Sequence, residues 1–268
     1  MFISEIKRDG HMHTPFCPHG SKDELEAYIQ KAITLGLEEI SFTEHFPLPK
    51  HICDPQLEAE CALNEKDIAP YFEAVENVKA KYSGKIKINK GFEVDYIDGR
   101  EEEIKRLLNK YGAKIEDSIL STHFVKYEDE YYGIDLEEDA ERLLGKLGQI
   151  ERVYDLYFRT VLKSIQADLG TYKPKRIGHP SLVRIFQKRW PIVYDDKGLF
   201  EEIAQNMKDK GYAFDLNVAG LRRPKCGETY PSGKLLEVFK AYNLPYVWGS
   251  DSHNVSQMEW LNKVKDYQ

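Results

Sequence analysis

Apolar positions along this chain switch between two periods. Short runs rich in apolar and β-branched residues are "SEIKRDGHMH" (4–13), "EEISFTEH" (38–45), "KIKINKGFEV" (85–94), "DSILSTHF" (117–124), "KRIGHP" (175–180), "GYAFDLNV" (211–218) and "PYVWGSDSH" (245–253). These predict strands. Between them lie longer runs with helical patterning: 21–36, 65–84, 100–112, 139–170, 195–211 and 231–243. The first, "SKDELEAYIQKAITLG", opens on a Ser cap, carries acids in its first turn and closes on glycine. Strand–helix alternation implies parallel pairing and an α/β fold. Seven strands in this order predict a distorted, closed or nearly closed (β/α)7 barrel of the TIM type. A doubly wound sheet is the competitor, but the glycine-rich phosphate turn of such folds is missing from the first βα connection. Two connections are long, 46–66 and 124–136 ("FVKYEDEYYGIDL"), and loops of that length are expected to act as lids or specificity elements.

Composition narrows the class. The 268 residues are 41% hydrophobic and 31% charged, as in ordinary globular proteins, with a net charge of −7. That charge argues against a general nucleic-acid binder. No apolar run approaches a membrane span and the N-terminus has no apolar signal region, so no membrane partner and a cytoplasmic location are expected. The four cysteines (Cys17, Cys53, Cys61, Cys226) form no C-x-x-C pair and read as reduced thiols.

The chemistry lies in the histidines. His11 and His13 are two residues apart in a predicted strand, on one face and about 7 Å apart along it. His45, His123, His179 and His253 fall at or just beyond the C-terminal ends of later strands, His19 lies in the loop leaving the first, and Glu93 and Asp251 stand at the same level. In a barrel these ends converge on one mouth, where active sites are built. Imidazole with carboxylate is a ligand set for zinc, iron or manganese. Other chemistries lack their motifs. The residues six beyond each cysteine are Asp23, Ala59, Asp67 and Ser232, so no C-x5-R phosphatase loop exists. There is no G-x-S-x-G elbow and no G-x-x-x-x-G-K-[ST] loop.

"HMHT", "SFTEHF", "GFEVD", "LSTHF", "GHP" and "GSDSH", in this order, resemble the motifs of the polymerase and histidinol phosphatase (PHP) superfamily. "HTPFCPHG", "GHPSLVRIF", "DLNVAGLRR" and "ETYPS" are similar, more narrowly, to its stand-alone histidinol-phosphate phosphatases. The resemblance implies one barrel domain over residues 1–268 holding three divalent transition-metal ions. By motif, His11, His13, Glu93 and Asp251 resemble the ligands of one ion. Glu93, His123 and His179 resemble those of a second, with Glu93 bridging, and His19, His45 and His253 those of a third. The implied activity is hydrolysis of a small phosphate ester, L-histidinol phosphate, in histidine biosynthesis, by direct attack on phosphorus without a phosphoenzyme. Asp251, His253 and Glu93 are the expected catalytic groups.

Guanidinium matches phosphate in a bidentate way. Arg159, Arg184 and Arg222 are the expected phosphate-binding arginines, with Arg159 and Arg222 also assisting catalysis. Arg222 is preferred over Arg223, although the two could exchange. Glu128, Asp129 and Glu130, among Phe124, Tyr127, Tyr131 and Tyr132, are the expected readers of the substrate's ammonium and imidazole, with the 46–66 insertion as the alternative. Rival readings keep the chemistry but change the substrate to a phosphotyrosine protein or a nucleic-acid end, or take the chain as a non-catalytic metal-binding module. An amidohydrolase also opens with H-x-H but carries a strand-four lysine, where "STHF" offers His123.

Overall fold

The computed structural model describes residues 6–264. Seven parallel strands form one sheet: β1 Arg8–Met12, β2 Glu39–His45, β3 Lys87–Asp95, β4 Asp117–Ser121, β7 Arg176–Ile177, β8 Ala213–Asn217 and β9 Tyr246–Gly249. Their spatial order is their order in sequence. β5 Phe124–Tyr127 and β6 Glu130–Gly133 form a separate antiparallel hairpin. The segment just beyond β9 closes the ring onto β1. His13 N–H donates to Ser252 O (2.9 Å), Asp251 N–H donates to His11 O (2.7 Å), and Met12 bridges Ser252 in parallel. The result is a nearly closed barrel of seven parallel strands ringed by helices, as expected.

β2 and β3 are buried along almost their whole length, as parallel strands covered on both faces must be. The helices present one apolar stripe to them. The helix Glu101–Tyr111 has three acids in its first turn, where the helix dipole favours negative charge, and buries Ile104, Leu107 and Leu108 at helical spacing.

Three expectations change in detail. The single helix predicted over 139–170 is two, Glu137–Leu147 and Ile150–Gln166, because Gly148 takes a left-handed C-cap (φ 75°) that ends the first. The fourth strand stops at Ser121, and the chain from Phe124 onward folds back as the hairpin instead of a loop. The strand before His179 is two residues long. The first two residues of the strand predicted over 4–13 lie outside the described residues.

Candidate metal centre at the barrel mouth

The nine expected metal-ligating residues come together at the C-terminal ends of the strands. Glu93, on β3, is their hub. Its Oε2 lies 3.3 Å from His11 Nε2, 3.5 Å from His13 Nε2 and 3.3 Å from His45 Nδ1. Its Oε1 lies 2.8 Å from His179 Nε2 and 3.7 Å from His123 Nε2, and accepts from Ser121 Oγ (2.6 Å). Asp251 Oδ1 lies 3.8 Å from His11 Nε2 and 3.5 Å from His13 Nε2. The His19 ring packs 4.9 Å from that of His45 and 4.8 Å from that of His253, with His13 stacked on both of the latter at 4.1 and 4.0 Å. His179 (φ 23°) and Asp251 (φ 52°) both hold left-handed backbone conformations, a strain that folded proteins keep where function needs it.

Five of the seven imidazoles are oriented through Nδ1, which leaves Nε2 directed into the cluster. His11 Nδ1 bonds Asp215 Oδ2 (2.7 Å), His13 Nδ1 bonds Glu44 Oε1 (3.3 Å), and His123 Nδ1 bonds Asp95 Oδ1 (2.8 Å). His19 Nδ1 bonds Glu60 O (2.7 Å) and His253 Nδ1 bonds Asp251 O (3.1 Å). The opposite nitrogens of His11, His13 and His253, and both of His45, are buried without a partner. An unpaired buried polar atom is costly, and a carboxylate or carbonyl on the far nitrogen is how proteins aim a metal-ligating imidazole. These residues therefore fit a cluster of divalent ions. Groups of donor atoms within 4.8 Å of one another include His11–His13–Glu93, Glu93–His123–His179 and His13–Cys17–His45–His253.

The charges agree. Burial opposes ionisation of Glu93 and Asp251, but the imidazoles around them outweigh it and hold both carboxyls well below the usual range. Burial and the neighbouring His13 hold His45 and His253 well below the usual imidazole value. Burial would lower His13 too, but Asp251 and Glu44 raise it to about 9. A divalent ion displaces such protons when it binds.

The pocket over this cluster has a wall that includes Phe124, Asp135, Leu182, Arg223 and Tyr230. None of the three expected phosphate-binding arginines is on it. Arg159 is exposed on its helix and donates Nε to both Asp155 oxygens (3.0 and 2.9 Å), an i,i+4 pair that faces solvent. Arg184 is held by Glu228 and Gln187 and lines a different cleft beside Tyr154 and Phe158. Arg222 clamps backbone instead, donating to the carbonyls of Ser250 (2.7 Å) and Asp251. Its neighbour Arg223 lines the pocket instead. The acid run is displaced as well. Glu128 and Asp129 form the hairpin turn, and Glu130 is held by Tyr132, Arg142 and Lys146. The same segment does reach the pocket through Phe124 and Asp135, and the 46–66 insertion reaches it through Cys61.

Sequence reasoning passed over the groups that aim the imidazoles: Asp215, Glu44 and Asp95. Period-two spacing carries a signal for two of them. Asp95 stands two residues beyond Glu93, and Asp215 two before Asn217, whose Nδ2 bonds it (2.9 Å). Asp215 reaches His11 across Gly249, where a Cβ would come within 2.1 Å of Asp215 Oδ1.

Comparison with known proteins agrees with this geometry. The model of the PHP domain family matches residues 9–219. The histidinol-phosphatase of Bacillus subtilis (strain 168) is 40% identical over 94% of this chain and 95% of its own. A solved structure from Listeria monocytogenes, described as a candidate histidinol phosphatase, superposes with a TM-score of 0.87 at 36% identity, covering 94% of this chain and 97% of that one. The Lactococcus lactis histidinol phosphate phosphatase, solved with zinc, L-histidinol and phosphate, shares the fold at a TM-score of 0.68 and 21% identity, over 98% of this chain and 94% of its own. With a barrel of this topology, a histidine–carboxylate cluster at its mouth and relatives matched over nearly the full length, this chain belongs to the PHP domain family, alongside the histidinol-phosphatases.

Proposed function

We propose that this chain is a metal-dependent phosphomonoesterase that hydrolyses L-histidinol phosphate to L-histidinol and phosphate, as one barrel domain over residues 1–268. The observation that carries this reading is the buried set of unpaired imidazole nitrogens around Glu93 and Asp251. It gains its substrate from the 40% identity to a histidinol-phosphatase. Three ions suit the donors: His11, His13, Glu93 and Asp251 would hold one, Glu93, His123 and His179 a second, and His19, His45 and His253 a third. Zinc, iron and manganese all suit such ligands. When bound, the ions supply Lewis acidity, lowering the pKa of water toward neutrality and offsetting charge on phosphoryl oxygens.

The chain's own groups do the rest. Arg223 donates to the phosphate oxygens. Among the described residues neither it nor Asp135 has an ion-pair partner, so both are available to a ligand. Asp135 takes the substrate ammonium and Phe124 lies against the imidazole. Asp251 keeps Oδ1 toward His11 and His13 and Oδ2 near Asn217 (3.3 Å). As an ionised carboxylate it can accept the proton of the attacking water and return it to the leaving alkoxide. Asp95 and Asp135 in the same pocket disfavour a polyanionic nucleic acid.

The test is phosphate release from histidinol phosphate against release from a tyrosine phosphopeptide, each with and without chelator. A preference for the small ester that chelation abolishes is expected. Equal or better turnover of the phosphopeptide would overturn the substrate assignment, and activity that survives metal removal would overturn the metal assignment.

A further inference from the structure

The loop from Thr14 to Gly20 brings a thiol into the metal-ligating cluster. One donor atom from each of His13, Cys17, His45 and His253 lies within 4.8 Å of the others. Cys17 is fully buried, yet it stands outside the continuous hydrophobic core to which Cys226 belongs. A thiol that only filled space would be expected among apolar side chains. This one faces imidazoles, and the Nε2 atoms of His13 and His253 and both ring nitrogens of His45 are buried without a partner.

The loop leaves Cys17 little freedom. Cys17 N–H donates to Thr14 O (3.0 Å), Gly20 N–H to Cys17 O (3.3 Å) and Ser21 N–H to His253 O (2.8 Å). A Cβ on Gly20 would stand 3.0 Å from Cys17 Cβ and 3.3 Å from Sγ, so the turn is as tight as glycine permits.

We propose that Cys17 ligates the ion held by His45 and His253, making that position a mixed thiolate–imidazole site. The inference rests on the metal reading above and adds a ligand to it. As the sulfur–metal bond forms, the S–H bond breaks and its proton leaves to solvent; no electrons are exchanged. Thiolate is a soft ligand, so this position would select zinc or cobalt over manganese, while the carboxylate-rich positions around Glu93 would not.

The experiment is titration of metal-stripped protein with Co²⁺, read by absorption spectroscopy, on the native chain, Cys17→Ser and Cys61→Ser. Cys61 lines the same pocket and is the rival thiol. The native chain and Cys61→Ser should both develop a near-ultraviolet sulfur-to-cobalt charge-transfer band. Cys17→Ser should lack that band, keep the visible ligand-field bands of the remaining ions, and bind its weakest ion at least tenfold less tightly. A charge-transfer band that survives in Cys17→Ser, or ligand-field bands in the native chain with no charge-transfer band, would overturn the thiolate ligand and leave the metal reading standing. Failure of the native chain to take up Co²⁺ or Zn²⁺ at all would overturn both.

Discussion

The two ends of the barrel carry charge in opposite ways. At the N-terminal end, Arg176 donates to Gly10 O (2.7 Å) and Asp117 Oδ2 (2.9 Å), and the same Asp117 oxygen accepts from Arg8 (2.7 Å) and Ser41 Oγ (2.7 Å). Burial opposes ionisation of Asp117, but Arg176 and Ser41 outweigh it and hold its pKa below the usual value. Cation meets anion there directly. At the mouth, two carboxylates and seven imidazoles are gathered, with no arginine or lysine side chain among the described residues bonded to those side chains, and most imidazoles keep one nitrogen unpaired. The floor pairs its charged groups with one another, although the Nε atoms of Arg8 and Arg176 are buried without a hydrogen-bond partner. The mouth is completed only by a ligand, so it gives up internal pairing for binding capacity. Substitutions at the floor should therefore cost stability and spare turnover, whereas those at the mouth should do the reverse.

The strongest test of that contrast is Glu93→Gln. Glu93 touches five of the imidazoles, so its loss should lower kcat about a thousandfold, the upper range for removing one preorganised electrostatic group, and reduce bound metal. Phosphate-release kinetics and elemental analysis check this, and near-native turnover would remove Glu93 as the hub. At the opposite end, Arg176→Met should lower stability in urea by about 2–3 kcal/mol while kcat of the folded protein stays unchanged. A comparable loss of kcat would mean that the floor is coupled to the mouth.

Arg223→Ala should cost about a hundredfold in kcat/KM, near 2.7 kcal/mol of transition-state stabilisation. The same loss from Arg222→Lys with none from Arg223→Ala would restore the order expected from sequence. Asp135→Asn should raise KM for histidinol phosphate about tenfold, as for one charge-assisted contact, and leave p-nitrophenyl phosphate unaffected. Equal effects on both esters would remove Asp135 as the ammonium reader.

The smallest effect belongs to the floor. Burial, with Lys210 and Lys175 nearby, lowers the Lys173 pKa from 10.5 to about 8. Between those values the unfolded chain binds the proton and the folded one does not. Stability should thus rise slightly from pH 8 to pH 10.5, and that slope should flatten in Lys173→Met, read by urea denaturation at stepped pH.

Short-range pattern carried much of this protein. Alternation of two apolar periods determined the element types, because burial on a strand repeats every two residues and on a helix every three to four. The same rule put His11 with His13, and the barrel topology implied by strand–helix alternation brought His45, Glu93, His123, His179, Asp251 and His253 to their level. What the tertiary structure alone decided depends on contacts between distant segments. Arg222 and Arg223 are neighbours in sequence, yet closure of β9 onto β1 turns one toward backbone carbonyls and leaves the other at the pocket. The acid run looked like a substrate reader until the hairpin carried its tip to Lys146 and Arg142, leaving Asp135 at the mouth. Asp215 is 204 residues from the His11 ring that it orients, and Cys17 faces His253 from the other end of the chain. Local periodicity sets the face on which a side chain stands. Only the closed barrel sets what stands opposite it.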